Sequence, residues 1–191
     1  MLEKKQFRDI FKVGIILFAI TAVAALALAA VNLCTAPVIS KNQKAKQDAA
    51  MKTVLPKAQA FSQIDSPDTV KELYLATDSA GNPAGVCVLV TTNGYGGAID
   101  LVVGVDTEKK VTGVDIISQA ETAGLGANAV KPEFKDQYIG KGNIANVVKN
   151  DAKANEINAI SGATITSKAV TAGVNIAVEA AEDILSKEAA K

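Results

Sequence analysis

Four hydroxyl side chains crowd into one stretch near the end of this chain: Ser161, Thr164, Thr166 and Ser167, within Asn158-Ala159-Ile160-Ser161-Gly162-Ala163-Thr164-Ile165-Thr166-Ser167. A hydroxyl can be esterified by a phosphoryl group, and the surroundings suit one. Gly162 and Ala163 put little side chain in its way. A helix opening just after Thr164 would aim unpaired N–H groups and its positive dipole end at the anion. The same residues also read as a turn and helix start, with Thr166 or Ser167 as the cap.

Other reactive chemistry is scarce. The chain has no histidine, and its two cysteines, Cys34 and Cys87, form no Cys-x-x-Cys pair. The usual zinc and haem arrangements and the Ser-His and Cys-His nucleophile pairs are therefore missing, so neither a metal nor a catalytic acid–base set is expected. Redox chemistry has to come from an organic cofactor. A net charge of zero, with no basic stripe carrying interleaved aromatics, argues against nucleic acid as a partner.

Two glycine-rich stretches are candidates for holding such a cofactor: Asn93-Gly94-Tyr95-Gly96-Gly97 and Glu121-Thr122-Ala123-Gly124-Leu125-Gly126. Glycine lets backbone approach a flat heteroaromatic ring, Thr122 can hydrogen-bond it, and Leu125 can lie against its face. Both also read as plain connections between strands. Gly124 to Ala129 matches the dinucleotide-binding Gly-x-Gly-x-x-Gly/Ala pattern letter for letter. Its strand ends too early, near Ile117, and Pro132 interrupts any long helix after it, so a Rossmann site is not expected. Lys131 could neutralise a phosphate or simply be solvated.

These stretches need elements to position them. Residues 13–31 are uncharged and almost wholly apolar, long enough to cross a membrane as one helix. Ala27-Leu28-Ala29 resembles a signal-cleavage site, but the apolar run exceeds a signal core, which favours a retained anchor. Cys34 lies at the outer end of that span and Cys87 in a strand-like run, so no disulfide is expected. The spacing predicts a short cytoplasmic tail over 1–12, the span over 13–31, a juxtamembrane helix or stalk over 32–60 ended by Pro56, and an extracytoplasmic domain over 61–191. Within the domain, Glu72 to Thr77, Gly85 to Thr92, Ala98 to Val105 and Val111 to Ile117 read as strands of two hairpins. Phe134 to Ile139 suggests a short helix, and Ile144 to Val148 an edge strand or loop. Val170, Val174, Ala177, Val178, Ala181 and Leu185 fall on one face of a terminal amphipathic helix. The fold class is α+β, a mainly antiparallel sheet packed with helices.

Ser161-Gly162-Ala163-Thr164 resembles the attachment motif of the FMN-binding domain family, in which a threonine carries FMN through a phosphoester. The matching residue is Thr164. Glu121 to Gly126 resembles that family's Glu-Thr-Pro-Gly-Leu-Gly loop, with Ala123 in place of proline, and Asn93 to Gly97 resembles its glycine-tyrosine-glycine turn. The resemblance implies a flavin site that includes Tyr95, Glu121, Thr122, Gly124, Leu125, Gly126, Lys131, Ser161, Gly162, Ala163 and Thr166. It covers nearly the whole chain and is nearest to the G subunits of Rnf (Rsx) electron transport complexes, which couple electron transfer between ferredoxin and NAD to ion movement. It implies an electron-relaying flavoprotein in the cytoplasmic membrane, flavin domain outside, with the other membrane subunits and a separate flavin transferase as partners. Two alternatives are the C subunit of sodium-pumping NADH:quinone reductases and a stand-alone membrane-anchored flavin shuttle. One departure stands out: Asn158 occupies a position that commonly carries an acid, in a site expected to be exposed.

Overall fold

Val86 to Val90 is apolar at every position, which calls for a strand covered on both faces. In the computed structural model, which describes residues 2–188, this run is the middle of β3 (Pro83–Asn93). It is the central strand of a five-stranded antiparallel sheet with β1 (Ala60–Ile64), β2 (Glu72–Thr77), β4 (Ala98–Asp106) and β5 (Val111–Ser118), in the order β1-β2-β3-β4-β5. The strand period of two divides the sheet's residues between two cores. Val86, Val88, Val90, Leu101 and Val103 face helix α3 (Thr164–Glu188), which presents Val170, Val174, Ala177, Val178 and Ala181 to them. Cys87, Leu89 and Val102 face the other way, onto Ala50, Met51, Val54 and Leu55. Each such valine or leucine stabilises the fold by roughly 1.5–3 kcal/mol on burial.

The residues on that second face are the end of α1 (Leu2–Val54) and the turn after it. Gly104 and Gly113 pair across β4 and β5, and both stay bare because the helix end lies on them. A Cβ on Gly104 would stand 2.5 Å from the Val54 carbonyl oxygen, and one on Gly113 would stand 2.9 Å from Val54 Cα. Thr112 Oγ1 donates a hydrogen bond to that same carbonyl, one of the groups a helix C-terminus leaves unpaired.

The chain divides into two compact units, residues 1–45 and 46–191. The described part of the first is helical throughout. Its large apolar side chains, among them Phe11, Ile16, Leu17, Val23, Leu26 and Leu28, are exposed. One window within Phe7–Val54 reaches a mean hydropathy of 2.6, making this the one helix among the described residues long and apolar enough to cross a membrane. Thr21 folds its hydroxyl back onto the Leu17 carbonyl at 3.0 Å, which pairs a polar group without water. The span expected over 13–31 and the juxtamembrane helix or stalk expected over 32–60 share one helix here, which runs to Val54 with Pro37 inside it. Proline costs that helix one backbone bond.

Both expected hairpins are present. Phe134 to Ile139 is shorter than a regular helix, being α2 (Pro132–Lys135) followed by a 3-10 turn over Asp136–Tyr138. The edge strand or loop expected near Val148 is β6 (Asn146–Val148), which pairs in parallel with β7 (Glu156–Asn158) in a two-stranded sheet.

Burial sets an alkaline limit on stability. It pushes the Cys87 thiol from the ordinary 9.0 up to about 12. Tyr74 rises from 10.0 to about 12, through burial first and then its hydrogen bond to Glu72. Both groups ionise more easily unfolded than folded, so their contribution is intact below about pH 9 and is lost as pH rises from there to about 12. We expect the urea midpoint to fall over that window, and a Cys87→Ala variant to lose part of the slope.

Candidate functional site

Three connections converge at the start of α3: the β3–β4 turn over Asn93 to Gly97, the loop after β5, and the segment 159–163. Glu121 ties them together. Its Oε1 accepts the Gly96 N–H at 2.8 Å, and its Oε2 accepts the hydroxyl of Thr166 from the first turn of α3. The carboxylate also explains the glycines around it. A Cβ on Gly94 would stand 2.3 Å from Oε1, and one on Gly126 would stand 2.4 Å from Oε2. Gly126→Ala should therefore expel the Glu121 side chain and loosen all three connections. The expected cost is about 1–3 kcal/mol, with a sharp fall in cofactor uptake, read by thermal unfolding and by absorbance of the loaded protein.

Around this hub lies a pocket of about 460 Å³, within the roughly 300–1,000 Å³ of small-molecule sites. Tyr95, Leu125 and Ile165 line it while remaining 73, 44 and 56 % exposed. Apolar side chains held out of the core around one cavity are the signature of a ligand surface. Glu121, Thr122, Gly126, Gly162, Ala163, Thr164 and Thr166 complete the lining. Gly162 turns the chain with a φ of +74°, a conformation costly for other residues, and its open side keeps Leu125 close to the loop. The Ala163 carbonyl accepts the first helical bond of α3, from the Ser167 N–H. The N–H groups of Thr164, Ile165 and Thr166 then have no acceptor within the helix, as at any helix start.

The four hydroxyls are not equivalent. Thr164 is exposed at the rim, whereas Thr166 is 1 % exposed and engaged with Glu121. Ser167 is buried; it donates to the Ala163 carbonyl and accepts the Ile160 N–H. Neither Thr166 nor Ser167 therefore acts as the N-cap that the turn-and-cap reading required. Ser161 is exposed but lines a neighbouring polar hollow with Thr164, Lys149 and Asn150.

Gly124 lies in the loop over the main pocket without lining it. Lys131 lines a separate groove with Gln137 and Asn158, not the cavity beside Thr164. Asn158, expected to be exposed, is half-buried: its Oδ1 accepts the Ala152 N–H at 3.1 Å, and its backbone N–H donates to Gln137 at 2.8 Å. Ile165 was missed by sequence reasoning. The signal was available, because Ile165 is apolar yet falls off the buried stripe of α3.

The geometry fits a flat ring carrying a phosphate: an apolar cleft, polar backbone at its edge, and a helix start beside an exposed hydroxyl. The FMN-binding domain family matches residues 94–179, a span that takes in the three connections from Gly94 onward, and the RnfG N-terminal region matches residues 1–54. The G subunit of the Na+-translocating ferredoxin:NAD+ oxidoreductase complex of Acetobacterium woodii is 38 % identical over 95 % of this chain and 97 % of that one. The chain belongs to the RnfG family. A second RnfG-family relative, the G subunit of the proton-translocating ferredoxin:NAD+ oxidoreductase complex of Clostridium ljungdahlii, is 36 % identical over 94 and 95 % of the two chains. The C subunit of the Na+-translocating NADH-quinone reductase of Parabacteroides distasonis, a crystal structure, shares the fold with a TM-score of 0.52 and 23 % identity over 67 % of this chain and 78 % of that one. This RnfG-family chain is a flavoprotein built on an FMN-binding domain.

Proposed function

We propose that this chain is the flavin-carrying relay subunit of a membrane complex that couples electron transfer between ferredoxin and NAD to ion translocation, with FMN joined through its phosphate to Thr164. The observation that carries the attachment is the exposed Thr164 hydroxyl, at the start of α3 and on the rim of the apolar pocket. Thr164 Oγ1 attacks the flavin-side phosphorus of a flavin pyrophosphate donor. A nucleoside monophosphate leaves with the anhydride electron pair, and the hydroxyl proton passes to a base on the transferase. An external base is required because Glu121, the carboxylate lining this pocket, is already engaged by Gly96 and Thr166.

Bound FMN supplies the redox chemistry, taking electrons from one partner and giving them to another. The protein's own residues do the holding. Leu125, Tyr95 and Ile165 would hold the ring, Thr122 could offer it a hydrogen bond, and the free N–H groups at the start of α3 would favour its phosphate. The reductase C-subunit reading is second, supported by a shared fold and by a sequence match at 31 % identity that covers 73 % of this chain but only 56 % of that subunit. Relatives named for sodium and for proton translocation match this chain almost equally, 38 and 36 %, so the coupling ion stays outside the proposal.

The apolar helix anchors the chain in the membrane, and the short basic tail before it favours a cytoplasmic N-terminus with the flavin domain outside. A cysteine at exposed Ser66, in a Cys34→Ala and Cys87→Ala background, tests this. Intact cells should label with a membrane-impermeant thiol reagent. Labelling only after lysis reverses the orientation.

A further inference from the structure

We infer that Glu121 sets the reduction potential of the flavin by holding a fixed negative charge against the pocket, and that Thr166 limits how strongly that charge acts. The inference rests on the flavin reading above. The Glu121 carboxylate lines the pocket and is pinned at both oxygens, by Gly96 N–H and Thr166 Oγ1–H. Gly94 and Gly126 leave it the room it occupies. The two salt bridges among the described residues, Lys71–Asp100 and Lys135–Asp115, involve neither Glu121 nor any other lining residue. Its charge thus faces two hydrogen-bond donors and the positive end of α3, with no ion pair among the described residues.

Reduction adds two electrons to the ring and at most two protons from solvent, so whenever fewer protons than electrons are taken up the ring gains negative charge. A pinned carboxylate along the same cavity opposes that gain and holds the potential down. The Thr166 hydroxyl withdraws part of the carboxylate's field by donating to it. Glu121 is thus a positioning residue for the loops and a charge acting on the ring, and the two roles separate by substitution.

The experiment is a dithionite titration of the full-length flavinylated protein in detergent, against a dye of known potential, for wild type, Glu121→Gln and Thr166→Val. Glu121→Gln keeps the shape and an acceptor for Gly96 but removes the charge, so the ratio of reduced to oxidised flavin at a fixed dye ratio should rise, by about tenfold. Thr166→Val keeps the charge and removes its donor, so the ratio should fall below wild type. Opposite signs support the inference, since general loosening of the loops would move both variants the same way. Equal ratios in all three proteins, or shifts of one sign, overturn it. If Glu121→Gln takes up no flavin, Thr166→Val decides alone: a lower ratio supports, an unchanged or higher one refutes. A wild type that keeps no flavin after denaturation fails the attachment reading instead, and that is seen before any titration begins.

Discussion

Thr164→Ala should abolish the fluorescent flavin band after denaturing electrophoresis while leaving the fold almost untouched. Wild-type chain, made together with a flavin transferase, should carry the mass of FMN less one water on the peptide containing Thr164. The alanine variant should carry none. Thr164 is exposed, so its removal should change stability by no more than about 0.5 kcal/mol. Thr166→Val is the matched control: the buried hydroxyl of Thr166 is bonded to Glu121 and out of a transferase's reach, so covalent flavin should persist. Retention of the flavin by Thr164→Ala would move the linkage to another hydroxyl, with exposed Ser161 the next to replace.

The largest stability effect should come from Gly113→Val. Its new side chain would overlap Val54, where even a lone Cβ stands 2.9 Å from Val54 Cα, and the backbone on both sides is fixed by β5 and the helix end. Lifting that helix end also uncovers Cys87, Leu89 and Val102. Overpacking of this kind costs about 3 kcal/mol, which for a domain of this size lowers Tm by roughly 6–12 °C. Thr112→Val removes only the hydrogen bond to the Val54 carbonyl, so about 1 kcal/mol is expected. Thermal scans of the full chain in one detergent compare the three proteins, and a Gly113→Val transition at the wild-type temperature would show that the helix end contributes nothing to the domain.

The parts of this fold legible in the sequence are those whose periodicity is local. Val86, Val88 and Val90 alternate with Cys87 and Leu89, and Val170 to Leu185 repeat at helical spacing, so the sheet's centre and α3 could be read directly. β1 escaped because Ala60 to Ile64 is mostly exposed and has no alternating apolar face. β7 escaped because three residues become a strand only by pairing with β6 across an intervening loop. The candidate site divides the same way. The motifs marked Thr164 and the Glu121 loop, but no local rule could disclose that Glu121 reaches a hydroxyl 45 residues further on. Nor could one disclose on which side of the 158–163 segment Lys131 would fall. Pro37 does not interrupt α1, because the bonds around it hold the two halves in register.

The sheet is a plain meander, each strand pairing with its sequence neighbour, while α3 comes last and lies across strands made some eighty residues earlier. Short-range hairpins form early and long-range docking late. During synthesis the sheet can assemble as it emerges, but Thr164 comes to lie on the rim of a pocket only once α3 has settled against the sheet. Half-made or misfolded chains thus have no cleft beside the Thr164 hydroxyl. Under the proposed linkage, cofactor loading would then be a test of completion, with flavin spent on folded domains.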